Sequence, residues 1–169
     1  MITLLTKHFS FRTESPEEVN LGNIYLKKTK DSWLTKHITS FIIKVIIKLF
    51  RISDKDMRKL ETVANYNIME GNKNIGSLDL TKISKEELNV MWIEVNEKYR
   101  GHGYAQKILQ WVIGFAKKQE YKILTLEVPG ISPDAKHIYE KLGFRETGQI
   151  TSPDEDVYWG GLVGMKLKL

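Results

Sequence analysis

The feature that most constrains the fold is an apolar segment that runs through a glycine-containing loop into an amphipathic helix. Leu88–Val95 has the composition of a strand, and Tyr104–Gln119 carries apolar residues at helical spacing on one side. Between them, Gly101 and Gly103 allow backbone conformations that other residues rarely adopt. A strand that turns directly into a long helix requires a sheet on which the helix can pack. The chain is therefore predicted to combine helices and strands in one layered domain.

The remaining hydrophobic pattern predicts further elements on both sides of this unit. Strands are predicted at Ile2–Phe11, Ile24–Thr29, Val63–Glu70, Ile75–Thr81, Ile123–Val128, Phe144–Ile150 and Leu162–Leu169. Helices are predicted at Trp33–Phe50 and Pro133–Leu142, and Ser53–Leu60 extends or follows the first of them. A turn or short helix is predicted at Glu14–Glu18, and a hairpin turn at Gly71–Asn74. Antiparallel strands followed by strand–helix–strand–helix–strand predict an α/β (α+β) fold, with helices on both faces of a mixed sheet.

Composition narrows the class of protein. The 169 residues fit one domain, and 41% hydrophobic residues suffice for a core. The absence of cysteine excludes disulfides, thiolate metal sites and a cysteine nucleophile, and favours a cytoplasmic location. The first eight residues lack the pattern of a signal peptide, so none is expected. The net charge of +5 is spread along the chain without a basic-aromatic motif, so no nucleic-acid partner is predicted.

The segment Trp33–Phe50 permits two interpretations. Its apolar residues recur at helical spacing, and Lys36, Lys44 and Lys48 lie toward another face. The apolar stretch is too short and too often interrupted by lysine to span a bilayer. A basic amphipathic helix can lie on a membrane surface, but packing on the domain core is the favoured interpretation.

The loop Asn96–Gly103 predicts an anion site. Its glycines let backbone N–H groups turn inward, and the following helix adds unpaired N–H groups and the positive end of its dipole. Such a site suits a diphosphate, with Arg100 and His102 adding positive charge at the rim. The loop lacks the lysine of a Walker motif, and Gln106 replaces the third glycine of a dinucleotide fingerprint. A turn that merely joins strand to helix is the alternative at this point.

Two blocks of sequence resemble the GNAT superfamily of N-acetyltransferases. Arg100-Gly-His-Gly-Tyr-Ala105 fits the family's Arg/Gln-x-x-Gly-x-Gly/Ala signature, and Ala135-Lys-His-Ile-Tyr-Glu-Lys-Leu-Gly-Phe144 is similar to its late helix. The resemblance implies a GNAT-like, mostly antiparallel sheet splayed between strands Leu88–Val95 and Ile123–Val128, with acetyl-CoA in the splay. The backbones of Ile93 and Val95 would then pair with the pantetheine arm.

The resemblance also implies the residues that hold the diphosphate. They are the backbone N–H groups of Arg100, Gly101, His102, Gly103, Tyr104 and Ala105, with Ile93, Glu94 and Val95 along the neighbouring strand. The family usually has an asparagine three residues before Ala135, and its side chain helps to hold the cofactor. Ser132 stands at that position, so a shorter hydroxyl would have to make this contact.

The chemistry implied by the resemblance is acetylation of a primary amine by direct attack. It needs a neutral amine, a stabilised oxyanion and a proton for the leaving thiolate. Tyr139 matches the family's general acid. Glu127 matches the base of the ribosomal-protein alanine acetyltransferase branch, and Glu94 is a rival. Strand alternation turns Glu94 away from Ile93 and Val95, so the two glutamates need not share a face, and a water chain is a third possibility.

The acceptor is the least constrained part of the prediction. We expect residues 1–62 to shape the acceptor site and residues 63–169 to form the acetyl-CoA-binding core of the domain. The loop Thr151–Gly161 carries Asp154, Glu155, Asp156, Tyr158 and Trp159, which could attract a cationic amine or simply form a solvated hairpin loop. The histidines show no metal-ligand spacing, so no metal site is predicted. A homodimer is possible, and the alternative to an enzyme is a non-catalytic acyl-CoA-binding module.

Overall fold

The computed structural model of the chain describes residues 15–29, 61–152, 154 and 160–169. Its strands are β1 (Glu18–Asn20), β2 (Tyr25–Lys28), β3 (Glu61–Glu70), β4 (Lys73–Lys82), β5 (Glu87–Val95), β6 (Ile123–Pro129), β7 (Arg145–Thr151) and β8 (Leu162–Lys168). Its helices are α1 (Tyr104–Lys118) and α2 (Pro133–Lys141), with a 3₁₀ turn at Glu97–Tyr99. The segments predicted at Ile2–Phe11, Trp33–Phe50 and Ser53–Leu60 lie outside the described residues.

The strands form one sheet in the order β1-β2-β3-β4-β5-β6-β8-β7. Each neighbouring pair is antiparallel except β5 and β6, which run parallel. The parallel pair is joined through α1, because two parallel strands need a crossover connection. The predicted mixed, mostly antiparallel sheet is therefore confirmed.

Two local predictions need correction. Glu18 does not belong to a turn or short helix: it begins strand β1, where it pairs with Lys27 of β2. So short an edge strand is formed by pairing with its neighbour, and its own three residues carry little signal. The hairpin turn after β3 is also tighter than predicted, because Gly71 adopts a positive φ of 55°. Glu70 consequently pairs with Lys73, which already belongs to β4.

The two faces of the sheet differ in polarity. Residues that pair directly on neighbouring strands have their side chains on the same face of the sheet. One face, named here the apolar face, carries Ala64, Tyr66, Leu78, Leu80, Val90, Leu126 and Met165. The opposite face, named the polar face, carries Asn65, Asp79, Asn89 and Thr125. Both described helices contact the apolar face. Trp111 of α1 packs edge-on against Tyr66 at 5.5 Å, and Lys136 of α2 pairs with Glu146, the partner of Met165. A helix layer on the polar face stays a prediction.

Gly76 allows β4 and β5 to approach closely at the end of the sheet that carries the loop Asn96–Gly103, named here the glycine loop. It lies opposite Val95, and a Cβ added to it would be 2.0 Å from the carbonyl oxygen of Glu94. A backbone atom cannot move aside as a flexible side chain can. Any larger residue at this position would therefore displace the end of β5.

Replacing Gly76 with alanine is expected to lower the free energy of unfolding by about 1–3 kcal/mol, because the added methyl group forces the strands apart. Denaturant unfolding measures this change. Gly114→Ala is the matched control: Gly114 lies in α1 with nothing near its Cβ position, so alanine should stabilise the helix by about 0.5–1 kcal/mol. Equal stability of Gly76→Ala and the wild type would contradict the close strand approach.

Candidate active site

The parallel pairing of β5 and β6 ends halfway along the strands. The register runs from Glu87 opposite Ile123 to Val90 opposite Leu126 and stops there. Beyond this point β5 continues beside β4, and β6 continues beside β8. The two strand ends diverge and open a cavity of about 730 Å³ between them. Its size falls within the usual range for small-molecule and cofactor sites.

A β-bulge at Met91 coincides with the point of divergence. Leu80 of β4 pairs with Val90, whereas Asp79 pairs with Trp92, so Met91 is an extra residue in β5. A bulge bends its strand and shifts the alternation of the side chains that follow by one position. The departure of β5 from β6 therefore has a local cause in the backbone of β5 itself.

The backbone of Ile93 and Val95 points into the divergence. The N–H of Asn96 donates to the carbonyl of Ile75 in β4, which makes this a hydrogen-bonded pair. Because such pairs alternate along antiparallel strands, Val95 and Ile93 turn their N–H and C=O groups away from β4. The inner edge of β5 is thus open to an added strand-like ligand.

All the predicted site residues except His102 lie on the wall of this cavity. They are Ile93, Glu94, Val95, Arg100, Gly101, Gly103, Tyr104, Ala105, Glu127, Ser132 and Tyr139. They come from the end of β5, the glycine loop, the first turn of α1, the end of β6, and the N-terminal cap and last turn of α2. The fold therefore brings together residues that are separated by up to 46 positions in the sequence.

The glycine loop presents unpaired backbone N–H groups. Gly101 and Gly103 have φ values of +80° and +74°, and no atom lies within 4 Å of an added Cβ at either position. No side chain caps α1, and its first backbone bond runs from the N–H of Lys107 to the carbonyl of Gly103. The N–H groups of Tyr104, Ala105 and Gln106 consequently lack partners inside the helix. Open N–H groups at the positive end of a helix dipole are suited to binding an anion.

Arg100 and His102 make hydrogen bonds that the sequence did not predict. The N–H of Arg100 donates to Glu97 within the 3₁₀ turn, so it is not one of the open N–H groups. Its side-chain Nε donates to the carbonyl of Val95 at 2.9 Å, which anchors the start of the loop to the end of β5. Nδ1 of His102 lies 2.8 Å from the carbonyl of Arg100 and therefore carries the proton in this contact. His102 braces the loop from outside the cavity.

Tyr139 lies on α2 at the cavity wall, with only 7% of its surface exposed. Its ring contacts Phe144 edge-on at 5.9 Å. Burial raises the pKa of Tyr139 to about 12. Every fully buried side-chain nitrogen or oxygen among the described residues has a hydrogen-bond partner. The Tyr139 hydroxyl has no such partner among these residues, so it is not fully buried, and it is accessible from the cavity that Tyr139 lines. It is a neutral hydrogen-bond donor at physiological pH.

Glu94 and Glu127 share the polar face of the sheet. Glu127 lies two residues after Thr125, whose hydroxyl accepts a hydrogen bond from the side chain of Asn89 in β5. Simple alternation from Asn89 would put Glu94 on the apolar face, but the bulge at Met91 returns it to the polar face. Both glutamates are exposed and line the cavity from opposite strands. Either carboxylate is placed where it could accept a proton.

Ser132 stands at the N-terminal cap of α2 and lines the cavity, but its side chain makes no capping hydrogen bond. The hydroxyl is therefore available for a bound molecule. In the predicted acceptor loop, Asp154 is exposed, whereas Glu155, Asp156, Tyr158 and Trp159 lie outside the described residues.

Several residues that shape the site were missed by the sequence prediction. The bulge at Met91 is the most important of them, and its only signal is the unbroken apolar run Val90–Ile93, where a half-buried strand would alternate. Gly76 and Gly130 were also missed. A Cβ on Gly130 would lie 2.2 Å from the carbonyl oxygen of Gly160, so this glycine is needed beside the cavity. Such approaches between distant segments leave no local pattern.

In the parts of the chain that the structure describes, no helix combines the length and apolarity needed to cross a bilayer. Among the same residues, no group of three or more histidine or acidic side chains is close enough together to hold a metal ion.

Comparison with solved structures places the fold among acetyltransferases. A GNAT family acetyltransferase from Elizabethkingia anophelis with acetyl-CoA bound is similar with a TM-score of 0.62 and 21% identity, over 87% of this chain and 99% of that one. Arabidopsis thaliana Naa50 in complex with the bisubstrate analogue CoA-Ac-MVNAL is similar with a TM-score of 0.62 and 19% identity, over 88% of this chain and 100% of that one.

Sequence comparison leads to the same family. The chain is 31% identical to human N-acetyltransferase 8B over 77 residues, which are 44% of this chain and 34% of that protein. The match thus spans about a third of the length of this relative. The model of the Acetyltransferase (GNAT) family matches residues 24–144, which is more than half of the chain. The chain therefore belongs to the GNAT family of acetyltransferases.

Proposed function

We propose that the chain is an N-acetyltransferase that uses acetyl-CoA to acetylate a primary amine by direct attack. The observation that carries this proposal is the cavity where β5 and β6 diverge. One wall offers free backbone groups to an extended ligand, one end offers the open N–H groups of the glycine loop, and Tyr139 supplies a hydroxyl. These are the three features that binding and using a long, diphosphate-containing thioester requires.

The residues present fit acetyl-CoA. The outward-facing N–H and C=O groups of Ile93 and the N–H of Val95 would pair with the amide groups of the pantetheine arm, as an added strand would, while the carbonyl of Val95 already accepts from Arg100. The N–H groups from Gly101 to Gln106 would hold the diphosphate, and the Ser132 hydroxyl would bond the arm. Bound in this way, acetyl-CoA supplies an acetyl group as a thioester and a thiolate as the leaving group.

Tyr139 is proposed as the general acid. Its raised pKa of about 12 keeps the phenol protonated while the thioester bond breaks. An ordinary thiol has a pKa of about 8.5, so complete proton transfer from Tyr139 to a free thiolate would cost on the order of 5 kcal/mol. The hydroxyl therefore acts mainly by donating a hydrogen bond to the sulfur as negative charge grows there.

Glu127 is the favoured base, and Glu94 is the alternative. Both carboxylates lie on the polar face at the open ends of neighbouring strands, so an amine approaching from that face would meet them first. A cationic amine must lose a proton before it attacks, and an exposed carboxylate can accept that proton directly or through water.

The acceptor is proposed to be a peptide or small-molecule amine. Naa50, a structural neighbour, was solved with a CoA–peptide analogue, and nourseothricin acetyltransferase, another neighbour with a TM-score of 0.55, takes its name from a small molecule. A cytoplasmic location and a homodimer stay predictions from the sequence.

The decisive experiment measures CoA binding and thiol release together. Calorimetric titration with CoA should show saturable binding, and a thiol reagent should detect CoA released when acetyl-CoA is mixed with peptide N-termini, polyamines and amino-sugar antibiotics. Binding without release from any amine would favour the non-catalytic acyl-CoA-binding module.

Tyr139→Phe is expected to lower kcat about 100-fold and to change the KM for acetyl-CoA less than about twofold, because the hydroxyl acts in the transition state. Steady-state kinetics with an active amine measures both constants. Tyr66→Phe is the matched control: burial also raises the pKa of Tyr66 to about 12, but this residue is not on the cavity wall. Unchanged kcat in Tyr139→Phe would show that another group serves the leaving thiolate.

Substitution of Glu127 or Glu94 by glutamine, the neutral isostere, distinguishes the two candidate bases. Glu127→Gln is expected to lower kcat/KM about 100-fold, while Glu94→Gln stays within a few-fold of the wild type. The opposite ranking would assign the base to Glu94. Full activity in both variants, measured from pH 6 to pH 9, would mean that water alone carries the proton.

The pH dependence should report the amine and the base but not Tyr139. The raised pKa of Tyr139 means that its hydrogen is present at lower pH and is lost only as the pH rises through about 12. Activity should therefore increase toward alkaline pH without a fall caused by Tyr139 below about pH 10. The profiles of the wild type and Tyr139→Phe should have the same shape in that range. A fall near pH 9 that is absent in the variant would contradict the buried environment of Tyr139.

A further inference from the structure

A hydrogen bond joins the glycine loop to the β3–β4 hairpin. The hydroxyl of Tyr104, the first residue of α1, donates to Oε1 of Glu70, the last residue of β3, at 2.6 Å. Tyr104 is buried, and the bond raises its pKa because the carboxylate stabilises the protonated phenol. A short bond to an ionised acceptor is stronger than one between neutral groups.

The ring of Tyr104 is also held from the loop side. The imidazole of His102 stacks on it, with centroids 5.5 Å apart and planes inclined by 22°. His102 in turn bonds the carbonyl of Arg100, whose Nε bonds the carbonyl of Val95. Tyr104 is therefore the point where contacts from the hairpin, the glycine loop and α1 meet.

This arrangement fixes the direction of the N–H groups that open the helix. Tyr104, Ala105 and Gln106 carry three consecutive N–H groups without partners inside α1. A small rotation of the first turn would turn all three away from one ligand position. Attachment of the Tyr104 side chain to the β3–β4 hairpin, whose strands pair along their whole length, opposes that rotation.

The bond to Tyr104 also fixes the position of the negatively charged Glu70 carboxylate. Glu70 bonds to Tyr104, which lines the cavity, but Glu70 itself is not a lining residue. A carboxylate that swung toward the open N–H groups would repel a diphosphate and compete for their hydrogen bonds. Bonding to the Tyr104 hydroxyl holds the carboxylate at the outer end of that side chain.

We propose that the Tyr104 side chain, held by Glu70, is a positioning group for the diphosphate of CoA. The proposal rests on the proposed function, because it assumes that the open N–H groups bind that diphosphate. Tyr104 would act through the geometry of the loop and not on the reacting atoms. Its loss should therefore weaken ligands that carry the diphosphate and leave acetyl transfer itself nearly unchanged.

Calorimetric titration of Tyr104→Phe tests this separation. CoA should bind about tenfold more weakly than to the wild type, whereas pantetheine, which lacks the diphosphate, should bind equally to both proteins. With an active amine, the KM for acetyl-CoA should rise about tenfold, with kcat within about twofold. Tyr25→Phe is the matched control, because Tyr25 bonds the carbonyl of Gly71 in the same hairpin and does not touch the loop. It should bind CoA like the wild type.

A double-mutant cycle adds a readout that general loss of stability would not produce. Glu70→Leu should weaken CoA binding about as much as Tyr104→Phe, and the double variant should be no weaker than either single variant. Glu70→Gln, which keeps an acceptor for the Tyr104 hydroxyl without the charge, should retain most of the affinity. Thermal unfolding of every variant establishes that it is folded at the titration temperature.

Two failures are distinguishable. A wild-type protein that binds no CoA would overturn the proposed function itself. A wild type that binds CoA, together with a folded Tyr104→Phe that binds it equally well, would overturn only the positioning role. Additive losses in the double variant, or equal weakening of CoA and pantetheine, would also overturn that role.

Discussion

The interaction on which the site depends is one that is missing: the hydrogen bonding between β5 and β6 beyond Val90 and Leu126. Backbone N–H and C=O groups that face away from a neighbouring strand must find another partner or water. The inner edge of β5 is such an exposed edge in the middle of an eight-stranded sheet. The cavity lies there, and not on a helix surface, because the two strands diverge and leave this edge of β5 without a neighbouring strand.

The bulge at Met91 has two effects on β5. One extra residue bends β5 away from β6 and also reverses the alternation of the side chains that follow. Ile93 and Val95 are thereby kept on the apolar face with the core, while Glu94 joins Glu127 on the polar face. The choice between the two candidate bases thus concerns two carboxylates on the same side of the divergence, which the alternation rule alone would not predict.

The glycine loop depends on the neighbouring hairpin as much as on its own sequence. Gly76 lets β4 approach β5, Asn96 bonds across to Ile75, and Tyr104 bonds Glu70. A loop of this kind binds an anion well only if its N–H groups are held in place before the ligand arrives, because ordering them during binding would cost free energy. Two hydrogen bonds tie the loop and the start of α1 to the hairpin, between positions that are 21 and 34 residues apart in the chain.

The sequence by itself determined the type and order of the described strands from β2 onward and of both described helices, because hydrophobic periodicity, glycines and prolines act locally. It also placed the glycine loop before α1 and Tyr139 in α2, since both lie in short motifs whose spacing is readable. It did not predict the short edge strand β1, which is formed by pairing with β2. Only the tertiary structure decided that β5 and β6 part after Val90, that Met91 is a bulge, and that Arg100 anchors Val95 while its N–H group is already used. These features arise from registers and close approaches between segments far apart in the chain, and such contacts leave no periodic trace in the residues that make them.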